Sequence, residues 1–182
     1  MAWINNRWVD TAERAEIIDT YRAYISMLDD EYPDTDDMPG DVLFDYFEKA
    51  RELERLERIQ RCEGNLLEFS VEYFSEARNP ENDGNWEGFD LTDVSEAAQF
   101  HREITDIMND VSTVEVNANV AVAAPRSHAK STYLSKAFPV HEVVYRRRKY
   151  TIIISETPAV STANMEWIRN QLKFNKKLRE DF

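Results

Sequence analysis

NVAVAAPRSHAKST, residues 119–132, is the stretch on which the fold turns. Its first seven residues, Asn119 to Pro125, form a short continuous apolar run of small and β-branched side chains, the pattern of a buried strand. Ser131–Val143 then reads as a helix, interrupted at Pro139, whose missing N–H is expected to end or kink it. Strand, short loop and a helix opening on Lys130-Ser131-Thr132 are the setting of a phosphate-binding loop. Against G-x-x-x-x-G-K-[ST], Ala124 and Ala129 stand at the glycine positions, while Lys130 and Ser131 match. In such a loop the 125–130 backbone cradles phosphates, and the helix N-terminus turns positive potential toward them. The lysine offsets β/γ-phosphate charge and the hydroxyl binds Mg²⁺. The two alanines remove the easiest route to positive φ. On the residues alone, a phosphate-binding loop and a solvated helix start both stay open.

Downstream, YTIIISE (150–156) reads as a second buried strand, Pro158 suits a helix start, and Val160–Arg179 carries Met165, Ile168, Leu172 and Leu178 at helical spacing. Upstream the period is helical throughout. Helices are expected over 11–31, over about 42–62 with Gly64 ending it, over about 66–77, and over about 92–109. The stretch NPENDGNWEGFD (79–90) reads as a loop. Four helices followed by strand–helix–strand–helix define an α/β chain: a mainly helical region, 1–110, then the first βαβα part of a parallel sheet, 111–182.

Charge divides along the same line. The 182 residues hold 22 Lys+Arg and 35 Asp+Glu, a net charge of -13. Residues 1–116 carry 10 basic and 30 acidic groups (-20), and residues 117–182 carry 12 basic and five acidic groups (+7). A segment at -20 is repelled by nucleic acid, so an anionic ligand belongs to the last third. The single cysteine, Cys62, excludes an internal disulfide and a cysteine-cluster metal site and suits a reducing compartment. No segment reaches the roughly 18 apolar residues of a membrane span, so a soluble, intracellular protein is expected.

VAAPRSHAKST (122–132) resembles the P-loop of the large terminase subunits of tailed bacteriophages, the ATP-driven motors that package DNA into proheads. There the loop is commonly an Arg, two residues, Gly or Ala, then Lys-Ser/Thr, which Arg126, Ala129, Lys130 and Ser131 match. FHREI (100–104), YTIIISET…ANMEWIRNQL…N…LREDF (150–182) and RCEGNLLEFSVEYFSEARNPEN (61–82) are similar to flanking stretches of that family. The resemblance covers about 61–182 and is most specific over 119–156. It implies a RecA-like P-loop NTPase sheet, incomplete here, and ATP with Mg²⁺ as ligands. Lys130 and Arg126 are then the catalytic candidates. Pro125, Ser127, His128, Ala129, Lys130, Ser131 and Thr132 line the nucleotide, and Ser131 holds the metal. Viral double-stranded DNA, the portal protein and the small terminase subunit are the implied partners, with a homo-oligomeric ring, no membrane, and a host-cytoplasmic location. The acidic pair of a later strand, a coupling motif and the RNase H-like nuclease have no counterpart in the 182 residues, so the chain is expected to be the N-terminal portion of a longer protein. Glu156 is the one strand-end acid after the loop, and a poor substitute, because the second strand lies far from the loop in a RecA-like order.

Other candidates have bland readings beside sharp ones. Gln99, Phe100 and His101 edge an adenine pocket or simply pack their helix. Arg146–Lys149 contacts DNA or flanks a hydrophobic strand, the latter being favoured. The ELERLER face (52–58) is a solvated helix or a partner surface, and Trp3, Trp8, Trp86 and Trp167 are too scattered for base stacking. The alternative function is a non-catalytic interaction module, its acidic helices docking a partner and its P-loop vestigial.

Overall fold

The computed structural model of the chain describes residues 2–4, 7–82, 91–113, 118–126 and 128–182. It is mainly helical, and its one strand ladder among these residues is a two-stranded antiparallel sheet. By compactness the chain divides into residues 1–60 with Asp181, and residues 61–180 with Phe182. That division falls inside a helix. No helix among the described residues is long and apolar enough to cross a membrane.

In the first unit, β1 (Ala2–Ile4) and β2 (Arg7–Val9) pair with Trp3 opposite Trp8, their indoles edge-on at 5.2 Å. Trp3 and Trp8 are therefore a cross-strand pair rather than scattered positions. Helix α1 (Thr11–Glu31) begins where the Asp10 carboxylate accepts the Glu13 N–H at 2.9 Å. A turn with a 3₁₀ segment at Thr35–Asp37 leads to α2 (Gly40–Glu63). The two helices are tied by Tyr24 Oη donating to Asp45 and Tyr46 Oη donating to Asp29 at 2.9 Å. Ile18, Leu28, Leu56 and Ile59 are buried. Asp181 accepts two bonds from the Arg58 guanidinium, at 2.8 and 2.7 Å.

The second unit is organised around α3 (Leu66–Phe74), all nine residues of which are buried. Phe69 sits at its centre, with ring centroids 4.8 Å from Tyr73, 5.6 Å from Phe74 and 4.9 Å from His141. The acidic residues of α3 are neutralised where they stand. Arg61 donates to Glu68 at 2.7 Å and to Glu72 at 3.0 Å, and Arg78 and Lys177 also bind Glu72. Around it lie α4 (Gln99–Thr113), a helical run from Lys130 to Val144 ending in α5 (Phe138–Val144), then α6 (Pro158–Phe174) and α7 (Lys176–Asp181). The fourth helix starts later than expected because Asp93 caps a separate 3₁₀ turn at Val94–Glu96.

Two expected features take a different form. Pro139 neither ends nor breaks its helix. The six residues before α5, Thr132–Ala137, are π-helical, and Phe138 N–H reaches back five residues to Tyr133 O. A widened turn there relieves the clash a proline ring makes with the carbonyl four residues earlier. The helix expected over 160–179 divides at Asn175, whose buried side chain accepts the Leu178 N–H at 3.1 Å and donates to Tyr73 O at 2.9 Å. An asparagine so engaged caps a new helix instead of continuing the old one.

The parallel sheet is the larger correction. Residues 119–125 and 150–155 have no ladder partner among the described residues. Tyr150, Ile152 and Ile154 are 90%, 84% and 89% exposed instead of buried. The physical reason is that a strand's backbone bonds lie in its neighbours, and among the described residues neither segment has a strand hydrogen-bonded to it.

Candidate functional site

The loop after residue 125 has a definite shape. Arg126 is in a turn, His128 and Ala129 are in a bend, and the helix begins at Lys130. Ala129 has φ 51°, the left-handed conformation, which costs an L-residue about 1–2 kcal/mol. It occupies the second glycine position of the pattern, so the backbone takes the glycine-like turn without the glycine. Tyr133 N–H then closes the first helical turn on Ala129 O at 3.1 Å.

Lys130 folds back across the loop. Its ammonium donates to Ala124 O at 2.7 Å and also to Pro125 O. Ser131 is exposed and makes no capping bond, which leaves its hydroxyl at the helix start open to a ligand. Thr132 is half-buried at the first π-helical position, and Pro125 and Arg126 are exposed. Ser127 lies outside the described residues, as do Trp86 and most of the 79–90 stretch.

Helix α4 braces this loop. His101 Nε2 donates to His128 O at 3.3 Å, and the His128 ring packs against Phe100 with centroids 6.2 Å apart. His128 in turn donates from Nδ1 to Arg126 O at 2.9 Å. Since a carbonyl only accepts, these bonds place protons on Nε2 of His101 and Nδ1 of His128. The His101 ring also lies 5.1 Å from that of Tyr133, whose phenol is pushed up to about 12 by burial and so stays protonated. Of the three adenine-pocket candidates, Phe100 and His101 do reach the loop, while Gln99 is engaged with Glu103 at 2.7 Å.

Glu156 lies in an exposed bend, and no group of three His, Cys, Asp or Glu side chains among the described residues is placed to hold a metal. A groove of about 860 Å³ between Ile153 and the α6 residues Met165, Ile168 and Leu172 shares no residue with the loop.

The basic run 146–149 is largely consumed within the protein. Arg147 donates to Ser112 Oγ and Glu63 O, each at 2.6 Å, and Arg148 donates to Val111 O at 2.9 Å. Arg146, with φ 56°, ends α5 in a Schellman arrangement: Arg147 N–H bonds Glu142 O and Arg146 N–H bonds Val143 O. The buried Glu142 beside these arginines, with Ser112 donating to it, is a polar cluster without a signature in the sequence. No family model, curated protein or solved structure matches the chain.

Proposed function

We propose that residues 124–132 bind the triphosphate of ATP, and that the chain supplies the nucleotide-binding part of a DNA-packaging motor of the large-terminase kind. The observation that carries the reading is Ala129. A non-glycine residue is held in the left-handed conformation where the P-loop pattern calls for glycine, directly before a lysine at a helix start. The resemblance of 122–132 to the terminase loop supplies the rest.

In this reading Lys130 would bind β- and γ-phosphate oxygens in place of its two loop carbonyls. Ser131 would hold Mg²⁺, Arg126 would reach the γ-phosphate from the exposed turn, and Pro125, Ser127, His128 and Thr132 would line the nucleotide. Bound MgATP would supply the γ-phosphoryl group, whose transfer to water breaks the β–γ phosphoanhydride bond, releases ADP and phosphate, and would drive translocation. His101, bonded to the loop backbone, would hold its shape. Residues 119–125 and 150–156 would be strands of a RecA-like parallel sheet whose other strands are supplied from outside the 182 residues. Double-stranded viral DNA, a portal protein, a small terminase subunit and further copies in a ring would be the partners of that motor.

Titration calorimetry with MgATP on the 182-residue chain tests the proposal. Lys130→Ala is expected to weaken binding by about tenfold or more, the loss of a charge-assisted contact. Steady-state phosphate release is expected to stay far below ~1 s⁻¹, the low end for enzymes, because no metal-holding acidic group is gathered among the described residues. Equal binding by the variant, or no binding by either protein, sinks the reading.

A further inference from the structure

The turn end of the α1–α2 hairpin carries an aromatic surface that the hairpin does not cover. Phe44 and Phe47 lie one helical turn apart on α2 and are 71% and 57% exposed. The Phe47 ring meets only the edge of Tyr46, at 5.5 Å, among the aromatic contacts of the described residues. Helical spacing puts Asp41, Phe44, Glu48 and Arg51 on one stripe with Phe47 beside it. A folded surface that keeps two adjacent phenyl rings in water marks a contact site.

The charge around those rings limits what can cover them. Residues 29–48 contain nine carboxylates and no Lys, Arg or His. Asp45 is paired with Lys49 at 3.0 Å. Asp36, Asp37, Asp41 and Glu48 have no ion pair among the described residues. The helix dipole accounts for Asp41 in the first turn of α2, but not for Glu48, one turn after Phe44 and next in sequence to Phe47. Such a field repels nucleic acid and anionic lipid surfaces. It equally repels the same hairpin end of a second copy, so symmetric pairing through this face is disfavoured.

We propose that this face docks a basic amphipathic helix of a partner protein. Apolar side chains of the partner cover Phe44 and Phe47, and its Lys or Arg residues meet Asp36, Asp37, Asp41 and Glu48. A helix is the fitting shape because the ridge it meets is itself helical, with anchors at i and i+3. The proposal is independent of the nucleotide reading.

The probe is a fluorescein-labelled Leu/Lys peptide of about five helical turns with one apolar face, titrated with the 182-residue chain by anisotropy. A scrambled peptide of the same composition and a Leu/Glu peptide are the controls. Saturable binding of the patterned peptide alone is expected. Phe44→Ser with Phe47→Ser should weaken it by about tenfold or more, as loss of central anchors does. Neutralising Asp36, Asp37 and Asp41 to Asn and Glu48 to Gln should weaken it and flatten its salt dependence. Circular dichroism checks that both variants keep their helices; a variant that loses them is replaced by the corresponding single substitutions. Equal binding of the scrambled peptide, unchanged binding by the phenylalanine variant, or no saturable binding overturns the proposal. So does self-association of the chain that the phenylalanine variant abolishes, which gives the face to a second copy.

Discussion

Helix α3 and the segment 150–155 are both short, apolar and rich in aromatic or β-branched residues, yet one is wholly buried and the other mostly exposed. LLEFSVEYF closes its backbone bonds within itself, so packing asks only for neighbours to cover its side chains. YTIIIS cannot do this, because an extended chain leaves every second N–H and C=O pointing sideways toward a strand that must be there. Hydrophobicity thus brings a helix into a core directly, but brings a strand in only through a ladder. The contrast sharpens with the polar residues: α3 carries Glu68, Ser70 and Glu72 inside and engages each one, with Ser70 Oγ donating to Leu66 O at 2.7 Å.

The largest test of the comparison sets Phe69→Ala against Ile152→Ala in urea unfolding. Phe69 is wholly buried against four rings, those of Tyr73, Phe74, His141 and Tyr145, and its truncation is expected to cost about 3–5 kcal/mol. Ile152 is exposed, and its truncation should stay within about 0.5 kcal/mol. A comparable loss at Ile152 would break the contrast and place the segment in a sheet in solution.

Next in size is Glu72→Gln, expected to cost about 2–3 kcal/mol near neutral pH because Lys177, Arg61 and Arg78 lose a shared carboxylate. Burial by itself raises the Glu72 pKa, but those three cations outweigh it and hold the group below its ordinary value of 4.5. A depressed folded pKa stabilises fully above the unfolded value, and that contribution fades as pH falls through the folded one. The gap between wild type and variant should therefore stay level from pH 7 to about 5 and close on further acidification. A gap that widens in acid would reverse the sign of the shift.

The smallest expected effect is at the loop. Ala129→Gly relieves the left-handed Cβ strain but loosens the unfolded chain, for a net gain of up to about 1 kcal/mol. Thermal unfolding measures it. A destabilised variant would mean that Ala129 does not hold its positive φ in solution.

Helices are legible through local chemistry. Asp10, Asn65 and Asp93 cap the turns after them, and the 3.6-residue period marks α1, α2 and α3. The pairing of 2–4 with 7–9 escapes a reading by helical period, because each strand is only three residues long. Asn175 and Pro139 are legible only as propensities. Whether an asparagine caps or a proline is absorbed by a π turn depends on tertiary partners such as Tyr73 O. At the site, spacing alone finds Lys130 and Ser131. It does not find the left-handed Ala129, because nothing in an alanine signals positive φ, and the bond from His101 to the loop joins residues 27 apart in sequence.

Cys62 is wholly buried near the end of α2, and its carbonyl accepts from His141 Nε2 at 3.2 Å. A thiol reagent reaches that sulfur only when this region opens, so the protein carries a clock for its own local unfolding. Labelling rates at rising urea would separate an opening confined to the Cys62–His141 neighbourhood, whose rate barely responds to denaturant, from global unfolding, whose rate responds steeply. Because the sequence has one cysteine, the signal needs no deconvolution. The same reagent applied with and without MgATP would read whether ligand at the 124–132 loop slows the breathing of the core.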